Sequence, residues 1–266
     1  MSITVIIILI ICGTLTNLMS ALFGIGGGVL MVPVLHTLFP EFPLQMVAAT
    51  SLTIVIGTSI INLFYFYKQK IQINFKSMLL WSIGMIIGVQ IGFEGSFYIP
   101  DWSIIAIFVI TLSILGIRTL FLNNTLNNNE NKQNNDTLKG IIFCFLGGSI
   151  AGVTGIGGGS IMAPLVAQLT SVKPYQIAAY TNYMMVIGGL GSLYGYLTKI
   201  PDFYLVNSWQ IGYINFSVVV IVVISSFLTS FLSMKIRGIL SPEISRKLLG
   251  IILFIIAGYM LALQIN

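Results

Sequence analysis

Gly24-Ile25-Gly26-Gly27-Gly28-Val29-Leu30-Met31-Val32-Pro33 decides how this chain is read. It returns once, 131 residues on, as Gly155-Ile156-Gly157-Gly158-Gly159-Ser160-Ile161-Met162-Ala163-Pro164. Four glycines in five positions sit badly inside a helix, where each costs about 1 kcal/mol relative to alanine. Both runs nonetheless lie in strongly apolar sequence. Within a membrane, backbone that is not helical is tolerated only where protein buries it or it lines a wet cavity. A break repeated in this way marks a site, and the remaining segments read as the frame that holds it.

The composition supplies the medium. Of 266 residues, 56% are hydrophobic and 7% charged, against about a quarter charged in soluble domains. With a mean hydropathy of +0.99, the chain reads as an all-α polytopic membrane protein whose partner is the lipid bilayer. Strands of a closed barrel would alternate apolar and polar residues, and that pattern is absent. The net charge of +5 is spread over short loops. That suits positive-inside topology in a multi-pass protein of the cell membrane, and not a nucleic-acid-binding face. Cys12 and Cys144 lie in apolar segments and read as small buried hydrophobes. The N-terminal run lacks the basic flank of a signal peptide, so residues 3–22 are expected to belong to the mature fold.

Aligned without gaps, residues 24–57 match 155–188 at 15 of 34 positions, including Pro33/Pro164, Gln45/Gln176, Thr50/Thr181 and Gly57/Gly188. Mere hydrophobicity would not keep prolines and glutamines in register. Three organisational units follow: a first transmembrane repeat at 1–122, an asparagine-rich cytoplasmic linker at 123–138, and a second repeat at 139–266. Long apolar segments are expected at 46–67, 77–97 and 102–121, then at 175–197, 211–234 and 245–264. Lys68, Lys70 and Lys76 mark one loop as cytoplasmic, and Lys235, Arg237, Arg246 and Lys247 mark another. Those loops do not correspond in the repeat, so the halves are expected to be inverted. Each half then carries a glycine-tipped helical hairpin, or a broken helix, plus three transmembrane helices. The arm after the first glycine run, 29–39, is about 16 Å long at helical rise and would reach only partway across.

Internal duplication is typical of secondary transporters, whose sites lie where the halves meet. A helix restarts after each glycine run with its first N–H groups free of intrahelical partners. Its dipole places partial positive charge there, so it can hold an anion without lysine or arginine. The candidate substrate-binding residues are Gly26, Gly27, Gly28, Gly157, Gly158 and Gly159 at the breaks, with Thr50, Ser51, Thr181 and Asn182 as side-chain donors. The competing reading is that the glycines only let helices pack closely, and that the hydroxyls bond back to their own helices. Gln45, Gln176, Asn17 and Thr154 read as braces. Gly84, Gly88 and Gly92 read as a packing face, and Trp81, Trp102 and Trp209 as interfacial anchors.

The twin Gly-Ile-Gly-Gly-Gly-x-x-x-x-Pro blocks, each followed by Ala-x-Thr (Ala48-Ala49-Thr50 and Ala179-Tyr180-Thr181), resemble the sulfite exporter TauE/SafE permease family over nearly the whole chain. The resemblance implies a permease for sulfite, organosulfonates or other small sulfur-containing anions. Thr50-Ser51 matches the family's usual pair, whereas the second copy reads Thr181-Asn182. An anion channel or sensor on the same fold is the alternative. An intramembrane enzyme is not expected, since one histidine and no deep carboxylate pair leave no hydrolytic machinery. No catalytic residue, metal site or cofactor is expected. A homodimer is compatible with the sequence.

Overall fold

The computed structural model describes residues 2–24, 26–121, 136–205, 208–237 and 242–265. Ten α-helices account for most of them: α1 (Ile3–Phe23), α2 (Gly28–Leu38), α3 (Leu44–Lys68), α4 (Phe75–Gly95), α5 (Asp101–Phe121), α6 (Asp136–Thr154), α7 (Gly158–Val166), α8 (Ile177–Thr198), α9 (Phe216–Arg237) and α10 (Pro242–Ile265). Seven of these (α1, α3, α4, α5, α6, α9 and α10) are long and apolar enough to cross a membrane. The chain is a multi-pass membrane protein. Helix α8 is as long, at 22 residues, but carries tyrosines, glycines, two threonines and an asparagine. More than half of its residues are buried, so its wall is protein more than lipid.

The linker expected at 123–138 lies outside the described residues except for Asp136–Leu138, which open α6. One expected helix begins late. Residues 211–215 are not helical: a two-strand hairpin, β1 (Gln210–Ile211) with β2 (Ile214–Asn215), precedes α9. Gly212 takes φ +56 at its turn. The Asn215 carboxamide accepts from the Val218 N–H at 3.2 Å, an N-cap that starts the helix there.

At each glycine run the chain doubles back. Gly27 lies against the side chain and carbonyl of Thr16, two turns below the end of α1. Gly147 in α6 lies against Ile161 and Met162 in α7. The foot of the second hairpin is tied by Asp136, which is buried and accepts from the Thr170 hydroxyl at 2.8 Å and the Ser171 N–H at 2.7 Å.

The two halves exchange partners. Helix α1 packs on α9, and α6 packs on α4. Small residues permit both contacts. Gly84, Gly88 and Gly92 put α4 directly on the carbonyls of Ile141, Phe145 and Ser149 in α6. Gly13 does the same for α1 against Val222 and Ser225 of α9. Both pairs run parallel. Helices α3 and α8 cross in opposite directions, since Ile56 meets Gly189 while Asn62 meets Asn182. Helices α5 and α10 also oppose, with Gly116 on Phe254 and Leu120 on Gly250. Trp81 is not an interfacial anchor. It is 1% exposed and fills the space beside Gly140 and Tyr180, while Trp102 and Trp209 are exposed.

Candidate substrate-binding site

The first break starts where Gly24 ends α1 in the left-handed region (φ +70), its N–H bonded to the Ser20 carbonyl at 2.9 Å. Gly26 (φ +77) and Gly27 (φ +65) follow, and the Gly28 N–H turns back to the Gly26 carbonyl at 2.8 Å. The second break repeats the opening: Gly155 (φ +71) bonds the Ala151 carbonyl at 2.8 Å, and Gly157 takes φ +78. These angles suit glycine and little else. The copies then diverge. Helix α2 starts at Gly28, but α7 starts at Gly158, one position earlier in the repeat.

The two breaks touch. Gly28 abuts the Ile156 carbonyl and the Gly157 nitrogen, so the N-terminal ends of α2 and α7 meet backbone to backbone. Val55, the twelfth residue of the 25 in α3, lies against both Gly26 and Gly157. Met185 covers Gly26, and Met85 covers Gly158. Nothing in the sequence separates these three apolar residues from ordinary core.

All ten candidate residues are buried. Ser51 sits between the breaks: its Oγ donates to the Gly155 carbonyl at 2.9 Å, with the Gly28 carbonyl at 3.4 Å. Thr181 reaches the other break, donating to the Gly24 carbonyl at 3.1 Å or to Ala178 in its own helix at 3.0 Å. Asn182 donates back to the Ala178 carbonyl at 2.7 Å and accepts from Asn62 at 3.3 Å. Thr50 faces elsewhere. Its hydroxyl accepts from the Asn215 N–H at 3.2 Å and lies 3.5 Å from the Tyr213 carbonyl, anchoring the β1–β2 hairpin. The structure therefore gathers the glycines, Ser51 and Thr181, and turns Thr50 toward the hairpin. No group of three or more His, Cys, Asp or Glu that could hold a metal ion occurs among the described residues.

The model of the sulfite exporter TauE/SafE family matches residues 9–260. The chain belongs to this family. It is 57% identical to a probable membrane transporter protein of Haemophilus influenzae, over 99% of this chain and 98% of that one. It is 30% identical to a probable membrane transporter protein of Methanocaldococcus jannaschii, over 96% and 94%. A shorter match, 30% identical over 40% of this chain and 23% of the relative, is to sulfite exporter TauE/SafE family protein 5 of Arabidopsis thaliana. No solved structure matches. The chain is thus a membrane transporter of the TauE/SafE type and not an enzyme.

In this TauE/SafE protein the matched glutamines are braces. Gln45 donates to the Ser96 carbonyl at 2.9 Å, and Gln176 donates to the Gln72 carbonyl at 2.6 Å while accepting from the Lys173 N–H. Thr154 satisfies the freed Ile156 N–H at 3.5 Å. Asn17 does not brace its break; it reaches α9 instead, donating to Ser233 at 3.3 Å. Lys199 and Glu94, at the ends of α8 and α4, pair at 2.5 Å with the ammonium 3.9 Å from the Phe97 ring centre. The repeat does not mark Asn62, since its counterpart there is Leu193. A lone asparagine deep in an apolar helix was the available signal.

Proposed function

We propose that this transporter carries a small sulfur-containing oxyanion, such as sulfite or an organosulfonate, bound where the two glycine breaks meet. The observation that carries the reading is the backbone contact between Gly28 and Ile156–Gly157. Two helix N-termini converge there, and each adds partial positive charge from its free amides. Gly26, Gly27, Gly157, Gly158 and Gly159 supply those amides, Gly28 joins them once its N–H leaves the Gly26 carbonyl, and Ser51, Thr181 and Asn182 are adjustable donors. Thr50 acts through the hairpin it anchors. A fixed lysine at this depth would cost about 2.5–3.5 kcal/mol and hold the anion too long for turnover.

The breaks are closed on each other in this structure, and Ser51 spends its proton on the Gly155 carbonyl. That arrangement fits an occluded state. Opening on either side frees the hydroxyl and the amides for substrate. The two repeats, 1–122 and 139–266, are inverted in the membrane. The opposed crossings of α3 with α8 and of α5 with α10 support this, because repeats of like orientation would run those pairs in parallel. Lys199, the one lysine at odds with this topology, is neutralised by Glu94.

Counterflow into proteoliposomes tests the reading. Vesicles preloaded with unlabelled sulfite should accelerate entry of radiolabelled sulfite, and a panel with sulfate, thiosulfate, sulfoacetate and taurine should rank the anions. Ser51→Ala should slow exchange at least about tenfold, the rate equivalent of one lost hydrogen bond to a charged partner. Flux without any preload effect would identify a channel instead. Absence of flux with every anion would reject the substrate class.

A further inference from the structure

We propose that Thr50 and Asn182 are a second pair of latches for the glycine breaks, and that transport exchanges them for Ser51 and Thr181 by moving each break one residue along the opposing helix. The repeat pairs Thr50 with Thr181 and Ser51 with Asn182. A symmetric molecule would latch both breaks from equivalent residues. This one does not. Ser51 of α3 donates to the Gly155 carbonyl, whereas Thr181 of α8, the equivalent of Thr50, reaches the Gly24 carbonyl.

The same offset recurs elsewhere between the halves. Ala48 abuts Gly155, but Ala178, the equivalent of Val47, abuts Gly24. Val55 lies against Gly157, but Met185, the equivalent of Ile54, lies against Gly26. The asparagine that opens the next long helix repeats it. The Asn215 N–H, ahead of α9, donates to Thr50 at 3.2 Å, while the Asn74 N–H, ahead of α4, donates at 2.6 Å to Tyr180, the equivalent of Ala49. Each time α8 is met one position earlier than α3. A 3₁₀ turn at Pro174–Gln176 precedes α8, whereas α3 starts as α-helix at Leu44, the equivalent of Tyr175. The tighter winding of that turn absorbs the difference.

Similar halves held in unequal registers imply a second arrangement with the roles reversed, because packed interfaces switch between discrete states. Reversal shifts every α3 contact one residue back and every α8 contact one residue on, a step of about 3.8 Å, one Cα spacing. Thr50 then donates to the Gly155 carbonyl, Asn182 donates to the Gly24 carbonyl, and Thr181 accepts from the Asn74 N–H. Only the Asn215 N–H goes without, since it meets Ala49, which has no hydroxyl. The β1–β2 hairpin is thereby untied from α3, and the protein opens on the hairpin's side. The inference rests on the inverted halves proposed above and not on which anion is carried.

Ile214, buried in the hairpin, is the reporter. Ile214→Cys in the full-length protein, with Cys12→Ala and Cys144→Ala, is labelled with a charged maleimide in detergent, without any anion substrate. Tyr180→Phe removes a hydrogen bond made only in the present register. Tyr180 lies about 24 Å along α8 from Tyr196, whose carbonyl accepts from the hairpin's Tyr213 N–H, so a local packing defect there would not reach the reporter. Tyr180→Phe should speed labelling about threefold or more, the population equivalent of one lost hydrogen bond. Ser51→Ala should do the same, and it decides the matter if Tyr180→Phe does not fold. Asn182→Leu removes a latch of the reversed register and should slow labelling about threefold, and Asn182→Ser, which copies the first repeat, should restore it. Labelling unchanged in Tyr180→Phe and Ser51→Ala, or faster in Asn182→Leu, would overturn the exchange and make the offset a fixed asymmetry. Labelling that responds as expected, with no counterflow of any anion, would overturn the anion reading instead.

Discussion

What a glycine's absent Cβ would strike decides whether that glycine can be replaced. At Gly28 it would strike the Ile156 carbonyl and the Gly157 nitrogen, which are backbone atoms of the other break. At Gly158 it would strike the terminal methyl of Met85, which can swing away, with the Met85 sulfur and Met162 Cγ at ordinary contact distance. Neither position has positive φ, so neither replacement strains its own backbone. Gly28→Ala is therefore expected to force the breaks apart, destabilise the protein by about 1–3 kcal/mol and abolish counterflow. Gly158→Ala should leave both melting temperature and flux close to the parent. Detergent melting curves and proteoliposome flux measure the pair, and equal damage from both would contradict the contact. This inequality was not legible in the sequence, which presents 26–28 and 157–159 as equivalent. The one-position shift in helix start breaks their equivalence, and a repeat alignment cannot register it. Ser51 was legible because it follows a repeated threonine. The orientation of Thr50 was not, because its partner is a hairpin formed by residues that read as helix.

At the scale of elements, apolar runs located nearly every long helix to within a few residues, since a membrane helix needs only length and hydrophobicity. What holds the helices together was legible only where small residues recur. Gly84, Gly88 and Gly92 are spaced by four, and the structure places all three against α6 carbonyls. Gly88→Val should push α4 off α6. Its first carbon alone would collide with the Phe145 carbonyl, and that backbone cannot retreat without moving the whole helix. Overpacking of this kind costs about 1–3 kcal/mol or more. The readout is a broadened gel-filtration peak and faster trypsin cleavage in detergent. Trp81 teaches the opposite lesson. Its place near a segment end suggested an interfacial anchor, but Gly140 on another helix opens a slot for its ring. No local pattern reveals a slot made by a distant glycine.

For the molecule as a whole, exchange of partners is the organising fact. Each half's first helix docks on the other half's fourth, so neither half can bury its glycine faces alone. The expected topology follows from loop charge: reporter fusions after Lys70 and Lys235 should both read cytoplasmic, and opposite readings would refute inverted halves. The repeated sequence made two similar halves legible. Their interlocking was not, since hydropathy records what faces lipid and not which protein surface lies behind it. Helix α8 shows what interlocking permits. The bilayer rewards an isolated segment only for being oily, and among the described residues α8 is the one long helix that falls short. It is synthesised after α3 and α4, against which it is packed. Its entry into the lipid during biogenesis thus depends on neighbours already inserted, and a ribosome that has made only the second half presents the translocon with a segment that has no home.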